Sequence, residues 1–357
     1  MKNSAVDGKP SVKQIYTLVE NGTDFMNSKA NNPEIAISGN GSDMSNHKAL
    51  KGKAKRKMIT QKMALSLIDI SKNKKQHEQT KSYWNTYHCQ NTLFSANGRT
   101  YGLYCKNRHC TLCSANRKAD IMNRYLPILK EWHEPYFVTL TVKAVTKKNL
   151  RKWIKEGLLR GFHQIVEKHR KRYQRGNGIR LMGIKSLECN FNPKKNTYNP
   201  HLHIIVPSKT MADILVNEWL LKWGKEHTSK DAQDSRQVYD NETALIEIIK
   251  YGSKIFTEPD VRKKSKQKGN RDIYSAALNN IFIAMSGCRV FDRFGFNMDE
   301  SKRSTNMVQN TSQYEKWVYD FMASDWKNTL TDKPLTGYCS DHELIDLLDK
   351  HIDTELE

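Results

Sequence analysis

The sequence predicts an α+β fold: an antiparallel central sheet with helices packed on it, preceded by a small cysteine-bearing module. Three observations predict it. Residues 135–256 read in the order strand, helix, strand, strand, helix. Two of those strands, 179–189 and 201–206, succeed one another with no helix between them, so they are expected to pair as a hairpin. Four cysteines cluster between residues 89 and 113, ahead of the sheet.

Residues 1 to about 52 are rich in Asn, Ser, Gly and Lys and poor in aromatics, so most of them are expected to lack fixed structure. Short apolar runs such as Ile15 to Val19 are local exceptions. The stretch ends in the basic run Lys51 to Lys57, which reads either as a solvated tail or as a set of phosphate contacts, and residues 1–57 are taken together as that tail. Residues 58–72 have helical apolar spacing, with Met58, Met63, Leu65, Leu67, Ile68 and Ile70. Arg117 to Trp132 is a second helix, and residues 58–132 form a helical, metal-binding module.

Pro135 to Val142 is a β-branched strand that opens the core, residues 133–300. Residues 149–173 form a long basic amphipathic helix whose apolar stripe is Leu150, Trp153, Ile154, Leu158, Phe162, Ile165 and Val166. A turn at 192–196 joins strand 179–189 to strand 201–206, a connection of roughly eleven residues and long for a hairpin. Helices are expected at 210–227 and 242–256, a basic loop at 263–271, a helix at 273–285 and a last element that begins with Arg289 to Phe291, before Gly295. Beyond residue 300 the pattern weakens until an acidic amphipathic helix at 340–352, within an extension spanning 301–357.

A formal net charge of +21 and a pI near 9.5 favour a polyanionic partner, of which nucleic acid is the commonest. No apolar stretch approaches the roughly 18 residues of a membrane span. The start Met1-Lys2-Asn3-Ser4 lacks a signal-peptide core, so a cytoplasmic location is expected. In that reducing compartment the clustered cysteines read as a metal site rather than as disulfides.

Three constellations carry chemistry. In Asn199-Pro200-His201-Leu202-His203-Ile204-Ile205-Val206 the alternation of a strand puts His201 and His203 on one face, where two imidazoles can hold one metal ion. A hairpin would bring Glu188 beside them. A carboxylate with two imidazoles suits Mg²⁺ or Mn²⁺ and leaves positions for a substrate phosphate. Zinc suits the same ligands, and Glu188 reads equally as an edge charge paired with a lysine.

Glu247, Tyr251 and Lys254 lie at i, i+4 and i+7 and share one helical face. Lys250 and Lys254 would favour the phenolate of Tyr251 and bind a phosphate, and Glu247 would act as a base. The same pattern also fits a salt-bridged surface face. A metal-bound phosphate attacked by a tyrosine is the chemistry of nicking a nucleic-acid strand.

Cys89, Cys105, Cys110 and Cys113 supply four thiolates over 25 residues, enough for a structural, tetrahedral Zn²⁺, with His88 or His109 able to replace one of them. Free buried thiols are the alternative. The neighbours Lys106, Arg108, Arg117 and Lys118, with Lys250, are the expected DNA contacts.

These residues resemble the single-tyrosine plasmid rolling-circle replication initiators of the HUH endonuclease superfamily. His201-Leu202-His203 looks like the HUH motif, and Glu247-x3-Tyr251-x2-Lys254 resembles the tyrosine segment. Cys105-Lys-Asn-Arg108-His-Cys110-Thr-Leu-Cys113 with Arg117 resembles the cysteine block, with Thr111 where that block carries proline. Phe137 to Val142 and Arg289 to Phe291 match the first strand and the closing segment, so the likeness covers about residues 85–296.

The resemblance implies an HUH core whose central strands carry the His pair, with the tyrosine helix packed across them. It implies binding of a plasmid origin as duplex and as single-stranded hairpin, a nick through a 5′-phosphotyrosine bond, and a 3′-hydroxyl that primes synthesis. It further implies rejoining of ends with help from Glu247, and a host helicase and polymerase as partners. A transposase or mobilisation relaxase with the same chemistry, and a non-catalytic zinc-dependent DNA-binding regulator, are the rival readings.

Overall fold

A computed structural model describes residues 34–37, 41–249, 272–298, 307–310 and 313–353. In chain order its elements begin with β1 (Glu34–Ile37), β2 (Ser42–Asp43), α1 (His47–Asn73), α2 (His77–Tyr87), β3 (Thr92–Ala96), β4 (Arg99–Gly102), α3 (Thr111–Lys130) and β5 (Tyr136–Thr141). Next come α4 (Lys147–Lys152), a π-helical stretch (Trp153–Leu159) that runs straight into α5 (Arg160–Gln174), β6 (Gly183–Asn192), β7 (Thr197–Val206), α6 (Lys209–His227), β8 (Asp234–Gln237) and α7 (Asn241–Ile249). The remainder is β9 (Ile273–Tyr274), α8 (Ser275–Ala284), β10 (Phe291–Phe294), β11 (Met307–Asn310), β12 (Glu315–Asp320), β13 (Asp325–Asn328), α9 (His342–Lys350) and β14 (Ile352–Asp353).

The central sheet has the order β10-β6-β7-β5-β8, and every neighbouring pair in it is antiparallel. The expected α+β class is therefore observed. The hairpin is present with Glu188 opposite His201, but its first strand starts at Gly183 rather than 179, and both strands run further toward the turn than the apolar pattern suggested. Pairing extends to Asn192 and Thr197, so only residues 193–196 make the turn, and Asn196 takes the left-handed conformation there (φ 48°). Polar residues close the ladder because backbone pairing needs no apolar side chain.

Strand alternation gives this sheet two unlike faces. Val138, Leu140, Leu187, Leu202, Ile204 and Val206 pack under the π stretch and helices α5, α6 and α8 through Ile154, Leu158, Phe162, Leu215, Trp219 and Ile281. The opposite face is apolar only at one end. There Phe137, Ile184 and Ile205 are covered by Tyr125 and Leu129 of α3 and by Leu245 and Ile248 of α7. At its other end the same face carries Glu188, His201 and His203.

A second sheet, β13-β12-β3-β4-β2, joins chain segments more than two hundred residues apart. The strands at 92–102 and 315–328 carry no strong apolar alternation, and the sequence pattern passed over them. Residues 313–353 are not an appendage on the core. β12 pairs with β3, Trp326 is fully buried and donates from Nε1 to the Gln90 carbonyl (2.8 Å), and α9 packs Leu344, Leu347 and Leu348 against Met58, Ile59 and Met63 of α1.

The basic run Lys51 to Lys57 is likewise not a tail. α1 starts at His47, capped by the Asn46 side chain accepting from Ala49 N (3.0 Å), so the expected boundary at 57 falls inside a helix. Lys57 is fully buried, and its ammonium donates to the carbonyls of Tyr87 (2.7 Å) and Cys89 (2.8 Å) and to Asn91 Oδ1 (2.6 Å). Those three acceptors, 30 to 34 residues away, make burial of a lysine tolerable.

Candidate metal and nicking site

The site is built on the β6–β7 hairpin and its neighbour β5. In register, Glu188 faces His201, Ser186 faces His203, and Thr141 and Thr139 face His201 and His203 from the other side. All six side chains lie on one face of the sheet, because antiparallel partners point the same way.

Glu188 Oε2 lies 3.0 Å from His203 Nε2 and 3.7 Å from His201 Nε2. Glu188 and His201 are almost wholly enclosed, 4% and 5% exposed, while His203 is half-buried.

The other ring nitrogens are both hydrogen-bonded, and at His201 the bond fixes the tautomer. His201 Nδ1 is 3.0 Å from the carbonyl oxygen of Asn199, which can only accept, so Nδ1 carries the proton and Nε2 offers a lone pair. His203 Nδ1 is 3.1 Å from Thr139 Oγ1. One carboxylate oxygen and two Nε2 atoms thus converge within 4.8 Å of one another. At these separations a proton or a cation must lie between the carboxylate and the imidazoles, and Ser186 Oγ stands on the same face, buried and without a hydrogen-bond partner. The residues fit a divalent cation.

The strand end that carries Thr141 is pinned from behind. Trp219 Nε1 (2.9 Å) and Thr228 Oγ1 (3.1 Å) donate to its carbonyl, and Gln233 Oε1 accepts from its backbone N–H (2.8 Å). Thr141 Oγ1 in turn donates to Asn199 Oδ1 (2.9 Å), two residues before His201.

α7 crosses β7 and β6 on this same face, and Glu247 on it is half-buried. Lys250, Tyr251 and Lys254 lie outside the described residues. Tyr239, on the segment between β8 and α7, is 89% exposed.

A family model described as a replication protein matches residues 99–330, well over half of the sequence. The chain belongs to the replication protein family. The protein rep of Staphylococcus aureus is 32% identical over 168 residues, covering 42% of this chain and 69% of that protein. The protein rep of Bacillus amyloliquefaciens is 27% identical over 192 residues, covering 46% of this chain and 54% of that one. The chain thus spans about half the length of the Bacillus relative. No solved structure matches it.

Within this Rep chain the four cysteines form a second metal-competent cluster. Cys113 Sγ lies 3.7 Å from Cys89 Sγ and 3.6 Å from Cys105 Sγ. A tetrahedral Zn²⁺ with bonds of about 2.3 Å spaces its sulfurs about 3.8 Å apart, so these two separations match the edges of such a tetrahedron. Hydrogen bonding from the other three thiols, Cys110 first, holds the Cys105 thiol below its ordinary value, and the same crowding pushes Cys89 and Cys113 up. The Cys105 N–H also donates to Cys89 Sγ (3.4 Å).

His109 is not part of the cluster. Its Nε2 is engaged with Thr86 Oγ1 (2.8 Å), and burial lowers its pKa to about 4. Lys106, Arg108 and Arg117 are exposed around the cysteine loop and Lys118 is half-buried, so the first three offer cationic groups to solvent beside the cluster.

Thr139, Thr141 and Ser186 were missed at the sequence level. A signal for the first two was present: they are the polar alternates of strand 136–141, on the face opposite Val138 and Leu140. Lys57 and Gln233 left no such trace, because their partners lie at the end of long-range packing.

Proposed function

We propose that this Rep chain initiates plasmid rolling-circle replication as an HUH-type nickase. The observation that carries the reading is the convergence of Glu188, His201 and His203 on one sheet face, with the His201 tautomer fixed by the Asn199 carbonyl, in a chain of the replication protein family. Glu188, His201 and His203 would hold Mg²⁺ or Mn²⁺, which when bound polarises the scissile phosphate as a Lewis acid. The Asn199 carbonyl and Thr139 hold the imidazoles in the geometry that keeps Nε2 forward.

Tyr251, four residues after Glu247 in the sequence, would be the nucleophile. Its phenolic oxygen forms the new bond to phosphorus, and the 3′-oxygen leaves as a hydroxyl that primes synthesis. Lys254 and Lys250 would stabilise the phenolate and the phosphate. Glu247, one turn before Tyr251 by sequence, would act on the attacking group at termination, when ends are rejoined. Four thiolates, Cys89, Cys105, Cys110 and Cys113, would hold a structural Zn²⁺ that ties β3, β4 and α3 to the end of α2. Lys106, Arg108, Arg117 and Lys118 would meet the phosphates of origin DNA, duplex and hairpin, and a host helicase and polymerase would extend the exposed end.

Replacing Tyr251→Phe tests the reading. The variant should form no covalent adduct with a single-stranded hairpin substrate, with nicking down at least a thousandfold and DNA binding retained, since binding rests on distributed basic contacts. An adduct that persists in the Phe variant places the nucleophile elsewhere, with Tyr239 the next tyrosine to replace.

A further inference from the structure

A cavity of about 220 Å³ opens between the first half of α1 and the first turn of α3, apart from the hairpin site. Its walls carry Lys53 and Arg56 from α1, Asn116 from α3, and Gln90 and Tyr104 from the loops that lead to the cysteines. Lys53 is 6% exposed, and its ammonium has no hydrogen-bond partner. The ammonium stands over the Trp326 ring, 5.8 Å from Nζ to the centroid. Asp43 supplies a carboxylate at the rim, already turned onto Ser45, whose N–H and hydroxyl both donate to Oδ1 at 2.8 Å. Two cations and several amides thus face a cavity against one carboxylate that is engaged elsewhere.

A buried ammonium without an acceptor carries a desolvation cost that a bound anion removes. We propose that this cavity is a phosphate-binding site, seated by Lys53 and Arg56. Resting on the reading of the chain as a DNA-binding initiator, its occupant in function is a backbone phosphate of the bound DNA. The site lies at the foot of the exposed basic cysteine loop, so a strand held by Lys106 and Arg117 has a phosphate anchor within the same module. The cavity admits a phosphate group with its waters and is far too small for a duplex, so the contact is to one phosphate and carries no base sequence.

Two variants test this in the full chain with its metals. Lys53→Met keeps the stem against Trp326 and removes the charge. Asn116→Asp puts a carboxylate at the mouth, where an acidic residue in the first turns of α3 suits the helix and leaves the core intact. The first readout is the salt dependence of binding to a labelled random-sequence duplex. Losing one phosphate contact should lower the slope of log K against log salt by about one in each variant, with zinc content and melting temperature unchanged.

The second readout is inorganic phosphate alone. It should raise the melting temperature of the wild type and not that of the variants, whether or not the wild type binds DNA, which separates failure of this site from failure of the functional reading. Phosphate stabilisation lost in the variants with unchanged DNA slopes would make the occupant a free phosphate rather than DNA. Unchanged slopes together with unchanged phosphate response would overturn the site. So would Lys53→Met losing zinc while Asn116→Asp binds DNA and phosphate as the wild type does, because Lys53 would then serve only to balance the thiolates.

Discussion

Thr139 shows how a single residue sets the chemistry of the hairpin site. A metal-ligating histidine is oriented by the hydrogen bond at its other nitrogen, and His203 Nδ1 is bonded to the Thr139 hydroxyl at 3.1 Å. Thr139→Val keeps the shape and β-branching of the strand but leaves Nδ1 without a partner, so the ring can turn or take the wrong tautomer. The expected result is a roughly 10- to 100-fold higher Mn²⁺ concentration for half-maximal nicking, in line with the usual cost of losing a residue that orients a ligand. His203→Ala removes the ligand itself and should cost several orders of magnitude in rate at any Mn²⁺ concentration. Titrating Mn²⁺ against nicking rate for the two variants separates positioning from ligation. A Thr139→Val curve that overlays the wild type would mean that the enclosed Glu188 and the sheet alone hold the imidazole.

Among the elements, the edge strand β10 depends on the glycine at its C-terminal end. Gly295, directly after β10, has φ +78°, and a Cβ there would lie 2.1 Å from the Leu181 carbonyl oxygen and 2.6 Å from Met182 Cα. Both are backbone atoms and cannot yield as a side-chain tip would. Gly295→Ala combines left-handed strain with overpacking and should cost about 2–4 kcal/mol, read as a lower midpoint in urea unfolding. An unchanged midpoint would mean that the strand end is free to move away from Leu181.

The same element shows what a sequence can disclose. Arg289 to Phe291 was recognisable as the start of a last element, because aromatic residues and a glycine frame it, but its pairing with β6 was not. The His strand was legible because period-two alternation determines which side chains share a face, and Glu188 joined it because a hairpin brings neighbours in sequence into register. The strands at 92–102 and 315–328 were illegible for the opposite reason: each is short and mixed in polarity, and it becomes a strand by pairing with a segment far away. α1 was found only from Met58 onward. Its first half is written in lysines, and burial of Lys57 among them depends on acceptors contributed by α2 and the loop after it.

Across the whole molecule, two cores share one helix. On one side α8 gives Ala277, Ile281 and Ala284 to the core beneath the sheet; on the other it gives Leu278 to the cluster around Met58, Met63 and Tyr83. Adjacent asparagines repeat the arrangement in hydrogen bonds. Asn279 Oδ1 accepts from the Tyr83 hydroxyl of α2 (2.8 Å), and Asn280 Nδ2 donates to the Tyr198 hydroxyl of β7 (2.8 Å). The C-terminal segment completes the second core rather than extending the first. Trp317 Nε1 donates to Ser95 Oγ (2.8 Å), Tyr319 N donates to the Asn91 carbonyl (2.8 Å), and the Gln90 carbonyl next to Cys89 takes the indole N–H of Trp326.

A chain ending at Met298 would therefore strip β12 from β3 and leave only β4 beside it, uncover the cluster around Ile59, Met63 and Leu67, and free the backbone beside Cys89. Burial of those side chains is worth roughly 1.5–3 kcal/mol each, a large share of the few kcal/mol that hold a domain folded. The truncated chain should lose zinc to a chelator far faster than the full chain, or precipitate, and it should bind DNA weakly even with Glu188, His201 and His203 untouched. Zinc release measured with a colorimetric chelator decides between the two pictures. A truncated chain that keeps its zinc and its melting temperature would make residues 299–357 an independent extension, and would return the integrity of the cysteine cluster to α1, α2 and α3 alone.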